Sequence, residues 1–262
     1  MAEQKRKTAD EVYREALLMV SPGTKIREAI SAILQSQKGA LLCIGDVKRL
    51  AELSEGGVKV DAPCTAQLLY ELSKMDGAII LSKDTSRIAY ANRFLKSDST
   101  IPTDETGTRH RAGERIAKQA KCIVVAVSER RASVTLYVHN MKHVVDSIPT
   151  LLNKATQAIQ TLEKYMTVLN QTMRDLSLRE FQDVVTIFDV CKAIQRCEMV
   201  TRISKEVDPY LLELGTEGRL ISLQLQELVL PVEEAELVIK DYYREKPGQT
   251  YEQVRDKIAE IS

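Results

Sequence analysis

The sequence contains no apolar run approaching the roughly 20 residues needed to cross a bilayer. Its N-terminus is charged and has no apolar segment behind it, so we expect no secretory signal. The five cysteines form no CxxC pair, and most lie in apolar segments, so we expect reduced core cysteines. We therefore predict a cytoplasmic protein with no membrane contact.

The usual phosphate-binding fingerprints are also missing, because the sequence has neither a P-loop nor a GxGxxG motif. Net charge is zero, since 37 Lys and Arg balance 37 Asp and Glu. The balance is uneven along the chain: residues 1–140 carry a basic surplus and residues 141–262 an acidic one. A mildly basic first half suits a small anionic ligand. An acidic second half argues against a dedicated nucleic-acid surface there.

Helical and strand patterns alternate in the first half of the chain. A capping box at Thr8–Glu11 predicts a helix to about Val20, and a second amphipathic helix follows through Gln37. Apolar runs predict strands, and helical spacing predicts two more helices. The expected strands are 39–45, 78–81, 88–94, 122–127 and 133–138, and the helices are 64–74 and 107–121. This alternation predicts an α/β fold with a mixed β-sheet flanked by helices.

Strand signals stop near residue 144. An apolar stripe from Leu151 to Met173 predicts one long helix, which must pack on its own bundle or on another subunit. A second capping box, at Ser177–Glu180, predicts the start of the next helix, which Gly215 and Gly218 interrupt. We therefore expect two domains, residues 1–145 and an all-α domain at residues 146–262.

Three segments of the first half could carry chemistry. Asp76 stands at the mouth of a strand, where a carboxylate can hold a divalent cation or accept a proton, or can simply be a turn residue. Gly107–Arg111 opens a helix, and a helix N-terminus with nearby cations binds phosphate. Helix phase places Arg109 on the core side, where it needs an anion, either a protein carboxylate or a phosphate. For Arg115 and Lys118 a solvated helix face is the favoured interpretation.

A third segment, Ser128-Glu129-Arg130, follows a predicted strand. Its hydroxyl and guanidinium groups could meet a polyphosphate, and a plain charged hairpin turn explains them equally well. His139 and His143 are too isolated in the sequence to be proposed as metal ligands.

Asp76-Gly77-Ala78 followed by Gly107-Thr108-Arg109-His110-Arg111 resembles the paired DGA and RHR motifs of the diadenylate cyclase family. The resemblance extends through residues 101–106 and 122–137. The second half resembles the linker domain of the DNA integrity scanning branch of this family, and the transmembrane helices of its membrane-anchored branch are missing.

The resemblance implies an enzyme that condenses two ATP into cyclic di-AMP and releases two pyrophosphates, with Mg²⁺ or Mn²⁺ as cofactor. It implies that Asp76 binds the metal and helps activate the 3′-hydroxyl, and that Arg109 and His110 are catalytic and bind phosphate. The other implied ATP contacts are Gly77, Leu95, Thr108, Arg111, Ser128 and Arg130.

The product has two identical halves, so two sites must face each other and the active form must be at least a dimer. The resemblance implies a homo-octamer. The chain departs from the family in having Ala112-Gly113 where members often have Thr-Ala, and it shows no helix-hairpin-helix motif by residue 262. DNA is an expected partner only if such a domain exists.

Two rival hypotheses remain open at this point. One is a catalytically weak nucleotide-binding or DNA-scanning assembly, which the change at Ala112-Gly113 makes conceivable. The other is a structural helical scaffold, which explains the second half of the chain but leaves Asp76 and Arg109 without a purpose.

Overall fold

The computed structural model describes residues 8–243 and 250–260. The chain divides into two compact units, with the division between Ser147 and Ile148. Strands occur only in the first unit among the described residues, and the second unit is built of helices. The predicted class, an α/β domain followed by an all-α domain, is therefore confirmed.

The first unit contains eight strands and five helices within the described part of the chain. The strands are β1 (Ala40–Gly45), β2 (Ser54–Glu55), β3 (Val58–Pro63), β4 (Ala78–Ser82), β5 (Arg87–Leu95), β6 (Ile123–Ser128), β7 (Ser133–Val138) and β8 (Met141–Val145). The helices are α1 (Ala9–Val20), α2 (Lys25–Gln35), α3 (Val47–Glu52), α4 (Ala66–Ser73) and α5 (Thr108–Ala120).

The strands form one mixed sheet in the order β2-β5-β4-β1-β6-β7-β8, with β3 also paired to β5. Only β1 and β4 are parallel, with Leu42 opposite Ile79. Strand β6 runs antiparallel to β1, with Ala40 opposite Val127. The starts of β1 and β4 and the end of β6 consequently lie at the same edge of the sheet.

Both faces of the sheet are covered, because β1 and β6 are apolar along their whole length and bury side chains on both sides. One face packs against α1, α2 and α4 in a core that includes Leu17, Ile30 and Leu69. The other face packs against α5 through Ile116 and Ala117. Four of the five cysteines are buried in the cores of the protein, as expected.

Helix α1 begins at the predicted capping box. The amide of Glu11 donates to the Thr8 hydroxyl, and the amide of Thr8 donates to the Glu11 carboxylate. These reciprocal bonds satisfy two of the free N–H groups at the helix start. The polar turn at 82–86 and the β6–β7 hairpin also occur as predicted.

The second unit consists of α6 (Ile148–Phe181), α7 (Ile187–Leu214), a 3₁₀ turn (Gly215–Gly218), α8 (Arg219–Lys240) and α9 (Tyr251–Glu260). The predicted stripe of α6 is buried at positions such as Leu151, Leu162 and Leu169, where it packs within this unit. The glycines at 215 and 218 bound the 3₁₀ turn, in agreement with the sequence pattern.

The helix start predicted at Ser177 is wrong. Helix α6 continues through Ser177–Glu180 to Phe181, and α7 begins at a different capping box, formed by Thr186 and Asp189. The Ser-x-x-Glu spacing is compatible with a helix interior, so the local pattern alone did not fix the boundary. None of the described helices is both long enough and apolar enough to span a membrane.

Candidate functional site

The shared sheet edge brings together segments that are far apart in the sequence. Gly77 directly precedes β4, Gly39 directly precedes β1, and Ser128 ends β6. Helix α5 runs over the sheet so that Ala120 leads through Lys121 into β6, which begins at the opposite edge. The N-terminus of α5 therefore lies at the edge where Gly39 and Gly77 lie.

Asp76 lies in the bend between α4 and β4, and its carboxylate is fully exposed. The next residue, Gly77, has φ +88°. A Cβ atom at residue 77 would also stand 2.8 Å from the carbonyl oxygen of Arg93 in β5. Only glycine fits both conditions, so Gly77 sets the conformation that presents Asp76 to solvent.

Helix α5 begins without a side-chain cap. Its N-cap residue is Gly107, and Thr108 is the exposed first helical residue. Because no side chain accepts from the first-turn N–H groups, they are available to an anion. Gly113 lets the helix approach the sheet closely, since a Cβ there would stand 3.0 Å from Leu41 Cδ1. A glycine inside a helix costs about 1 kcal/mol in helix propensity, but here it allows α5 to pack closely on the sheet.

Arg109 joins the two sequence motifs. Its Nη2 lies 3.9 Å from Oδ1 of Asp76, and its side chain is 34% exposed. A Cβ atom at Gly39 would stand 2.1 Å from Nη1 of Arg109 and 3.2 Å from the carbonyl oxygen of Val127. The guanidinium therefore crosses the start of β1 beside the end of β6. The contact with Asp76 is long and Asp76 is exposed, so this cation remains accessible to an anionic ligand.

His110 faces a different environment, a chain of polar groups inside the domain. Its Nδ1 lies 2.9 Å from the hydroxyl oxygen of Tyr137, and that hydroxyl donates to Oε1 of Glu105 at 2.8 Å. The same carboxylate oxygen lies 2.5 Å from Nζ of Lys142. Tyr137 and Glu105 are buried, and Nε2 of His110 is buried with no hydrogen-bond partner among the described residues.

The network shifts the pKa values of its members. Burial raises the pKa of the Glu105 carboxyl, but hydrogen bonds from Lys142 and Tyr137 outweigh burial, and the net pKa is lowered. Burial and the neighbouring Glu105 raise the pKa of Tyr137. Burial, with nearby cations, lowers the pKa of His110 against the opposing effect of Glu105. Near neutral pH, Glu105 is therefore ionised and Tyr137 and His110 are neutral.

Three basic side chains of α5 hold the loop that precedes it. Arg111 lies 3.3 Å from the carbonyl oxygen of Glu105 and 3.4 Å from that of Thr106, to which it donates. Arg115 donates to the Ile101 carbonyl, and Lys118 donates to the Pro102 carbonyl. These bonds give Arg115 and Lys118 a structural role that the solvated-face interpretation missed.

The remaining predicted site residues lie in several environments. Ser128 is half-buried at the end of β6, and its hydroxyl accepts from the Arg131 amide. Arg130 is exposed in the β6–β7 turn. Leu95 is almost fully buried and packs in the α5-side core with Ala78 and Ile80. The structure thus brings Asp76, Gly77, Thr108, Arg109 and Ser128 to one edge, while His110 and Arg111 bind protein groups.

Four residues of this region were missed by sequence reasoning. Gly39 and Tyr137 lay within predicted strands, and Glu105 and Lys142 were not singled out. Only the fold brings Glu105 and Tyr137 together, because 32 positions separate them in the sequence. The one available signal was Tyr137 itself, since a buried tyrosine hydroxyl needs a partner.

The site around Asp76 and Arg109 offers few protein ligands for a divalent cation. No group of three or more His, Cys, Asp or Glu suited to a metal occurs among the described residues. Mg²⁺ is commonly held by one or two carboxylates together with substrate phosphates. The exposed Asp76 carboxylate beside the uncapped N-terminus of α5 fits that mode of binding.

Comparison with known proteins identifies the family of both halves of the chain. Residues 27–142 match the family described as DisA bacterial checkpoint controller nucleotide-binding. Residues 145–262 match the DisA bacterial checkpoint controller linker region. The chain belongs to the DisA family. The diadenylate cyclase resemblance noted in the two motifs and in the helical half is thereby confirmed at the level of the family.

Several DisA proteins are similar in sequence to this chain. The DNA integrity scanning protein DisA of Carboxydothermus hydrogenoformans is 50% identical over 93% of this chain and 69% of the relative. The DisA protein of Clostridium kluyveri is 46% identical over 95% of this chain and 70% of the relative. That of Clostridium perfringens is 45% identical over 98% of this chain and 72% of the relative.

Proposed function

We propose that this chain is a diadenylate cyclase, which condenses two ATP molecules into cyclic di-AMP and releases two pyrophosphates. The observation that carries the proposal is the meeting of Arg109 and Asp76, 3.9 Å apart, beside the uncapped end of α5. Membership of the DisA family, whose first domain is described as nucleotide-binding, supports it. The two motifs supply a cation for phosphate and a carboxylate within reach of the same ligand.

Phosphoryl transfer depends on positioning and charge neutralisation more than on a covalent nucleophile. In our proposal, Arg109 and the free N–H groups of α5 bind the phosphates of ATP. Thr108 and Ser128 add hydroxyl groups at the same edge, and Arg130 reaches the polyphosphate from the neighbouring turn. Gly77 and Leu95 lie against the nucleoside. Arg111 acts indirectly, by holding the loop that leads into α5.

Asp76 would hold the cofactor, Mg²⁺ or Mn²⁺, together with the phosphates of the nucleotide. When bound, such an ion neutralises phosphate charge and favours ionisation of the attacking 3′-hydroxyl. Asp76 is fully exposed and has only a long contact with Arg109, so its oxygens are available to an ion. The carboxylate also orients Arg109 across the site.

The symmetry of the product determines the assembly that we propose. In cyclic di-AMP the 3′-oxygen of each nucleotide is bonded to the α-phosphate of the other, with one pyrophosphate displaced at each bond, so two copies of the site must face each other. An exposed Asp76 at the sheet edge suits such an arrangement. We expect a homo-oligomer of at least two chains, and an octamer by the family resemblance.

The test is incubation of the purified chain with ATP and Mn²⁺ or Mg²⁺, followed by mass spectrometry. We expect cyclic di-AMP from the wild type and none from Asp76→Asn. Asp61→Asn is the matched control, because Asp61 is also exposed and also pairs with an arginine, Arg87. It should retain wild-type product. ATP binding by the wild-type chain without any product would instead support a nucleotide-binding module.

A further inference from the structure

The hydrogen bonds around His110 determine which of its nitrogens carries the proton. Glu105 is ionised, so its carboxylate can only accept. The Tyr137 hydroxyl has one proton, and it donates that proton to Glu105. The tyrosine oxygen can then only accept from His110, 2.9 Å away. A neutral His110 must therefore have its proton on Nδ1 and a lone pair on Nε2.

We propose that Tyr137 and Glu105 are positioning residues that fix His110 in the Nδ1–H tautomer at the first turn of α5. The effect of this tautomer on catalysis rests on the proposed function. The tautomer itself does not. Lys142 completes the chain by pairing with Glu105 at 2.5 Å, which keeps the carboxylate ionised. These hydrogen-bonded side chains thus link β8, the loop before α5, β7 and α5 itself.

The environment of Nε2 determines how this tautomer can interact with a phosphate. The atom is buried and has no hydrogen-bond partner among the described residues. Gly107 adjoins the same side of the ring, since a Cβ there would stand 3.8 Å from His110 Cδ2. An unpaired buried acceptor is costly, and such groups occur at functional sites. As a neutral ring, His110 can donate no hydrogen bond to phosphate from Nε2 until that atom takes up a proton.

The network also fixes Arg109, the adjacent residue on α5. A histidine tied to the sheet through Tyr137 and to the preceding loop through Glu105 limits movement of the first helical turn. Pre-organisation of that turn is what anion binding at a helix end requires. Loss of the Tyr137 hydroxyl should therefore weaken nucleotide use even though Tyr137 is fully buried and far from solvent.

The tautomer can be measured without any activity. The chain has three histidines, so magic-angle-spinning NMR of protein labelled with ¹³C,¹⁵N-histidine gives few signals, and a His110→Gln spectrum assigns the ring. At pH 8 we expect protonated Nδ1 and unprotonated Nε2 in the ligand-free wild type. We expect Tyr137→Phe, which keeps the ring but removes the acceptor, to shift the proton toward Nε2. A wild-type Nε2–H tautomer would overturn the proposal, as would a spectrum unchanged by Tyr137→Phe.

Kinetics supply the second measurement. Loss of one buried hydrogen bond corresponds to about a tenfold fall in kcat/KM for Tyr137→Phe. Tyr70→Phe is the matched control, because Tyr70 is a half-buried tyrosine whose ring contacts Lys74 outside this network. An unchanged kcat/KM in Tyr137→Phe would contradict the positioning role. A chain that makes no cyclic di-AMP would refute the proposed function and leave the NMR result to decide the tautomer.

Discussion

The Arg109 side chain fills the position at the edge of the sheet that a side chain on Gly39 would take. A Cβ atom on Gly39 would stand 2.1 Å from Nη1 of Arg109. The glycine directly precedes the buried strand β1, and the arginine belongs to the first turn of α5. The absence of a side chain at residue 39 is therefore what lets the guanidinium extend toward Asp76. This relationship leads to a specific mutational prediction.

Gly39→Ala should displace Arg109 and leave the domain folded. The nearest atom belongs to a flexible side chain, and the Val127 carbonyl oxygen, 3.2 Å away, needs to move by only a few tenths of an ångström, so we expect stability to change by no more than about 1 kcal/mol. Cyclase activity should fall at least about tenfold, because the guanidinium no longer reaches its position. Urea denaturation and product quantitation measure the two effects.

A double-mutant cycle provides the control for this prediction. If Gly39 acts only through Arg109, then Gly39→Ala should add little to the loss caused by Arg109→Ala. Fully additive losses from the two substitutions would show that Gly39 affects activity by another route.

Gly77→Ala should destabilise the first domain. Residue 77 has φ +88°, and a Cβ would stand 2.8 Å from a backbone oxygen of β5, which cannot move as a side chain can. We expect the free energy of unfolding to fall by at least about 2 kcal/mol. Chemical denaturation followed by circular dichroism checks this value. A wild-type denaturation midpoint would show that the bend tolerates a side chain.

Lys142→Met should lower the free energy of unfolding, because it removes the cation that pairs with the buried Glu105 carboxylate. Glu105 would lose the partner at 2.5 Å and keep only the Tyr137 hydroxyl. We expect a loss of about 1–3 kcal/mol in unfolding free energy. Lys74→Met is the comparison, because it breaks a solvent-exposed pair with Glu71 and should therefore cost less stability than Lys142→Met. Equal losses in the two variants would argue against a special role for Lys142.

The pH dependence of stability should report on His110. Burial lowers its pKa below the ordinary value of 6.5, helped by Arg131, Lys142 and Arg109 and opposed by Glu105. Between the folded pKa and 6.5 the unfolded chain binds more protons than the folded chain, so stability rises with pH across that window. As pH falls through the same window, stability is lost.

The variant His110→Gln isolates this contribution. It has no titrating ring, so its unfolding free energy should rise less steeply with pH in the window just below pH 6.5. Denaturation curves at several pH values measure both slopes. Identical slopes in the wild type and the variant would contradict the lowered pKa of His110.

Periodicity predicted those elements whose apolar pattern is strong. Strands β1, β4, β6 and β7 and the long helix α6 were expected because each carries a continuous apolar run or stripe. Strand β3 was missed because it is a largely exposed strand with Lys59, Asp61 and a terminal Pro63. Strand β2 is short, and β8 alternates apolar with polar residues. Neither contains an apolar run that would predict a strand.

The candidate site was predicted as two separated motifs, and the fold explains why more could not be seen. Asp76 and Arg109 meet because parallel β1 and β4 start at one edge and α5 returns to that edge. The contacts of Gly39 with Arg109 and of Tyr137 with Glu105 depend on tertiary packing, which no local spacing encodes. For the same reason, the hydrogen bonds of Arg115 and Lys118 to the preceding loop were missed.

The most direct test of the central claim is quantitation of both products of the reaction. Purified chain is incubated with ATP and Mn²⁺, and cyclic di-AMP and pyrophosphate are measured in the same sample. Our account predicts two pyrophosphates for each cyclic di-AMP, from a species whose mass by light scattering is at least twice the 29.4 kDa chain. Bound ATP with neither product, from a chain shown to be oligomeric, would contradict the account.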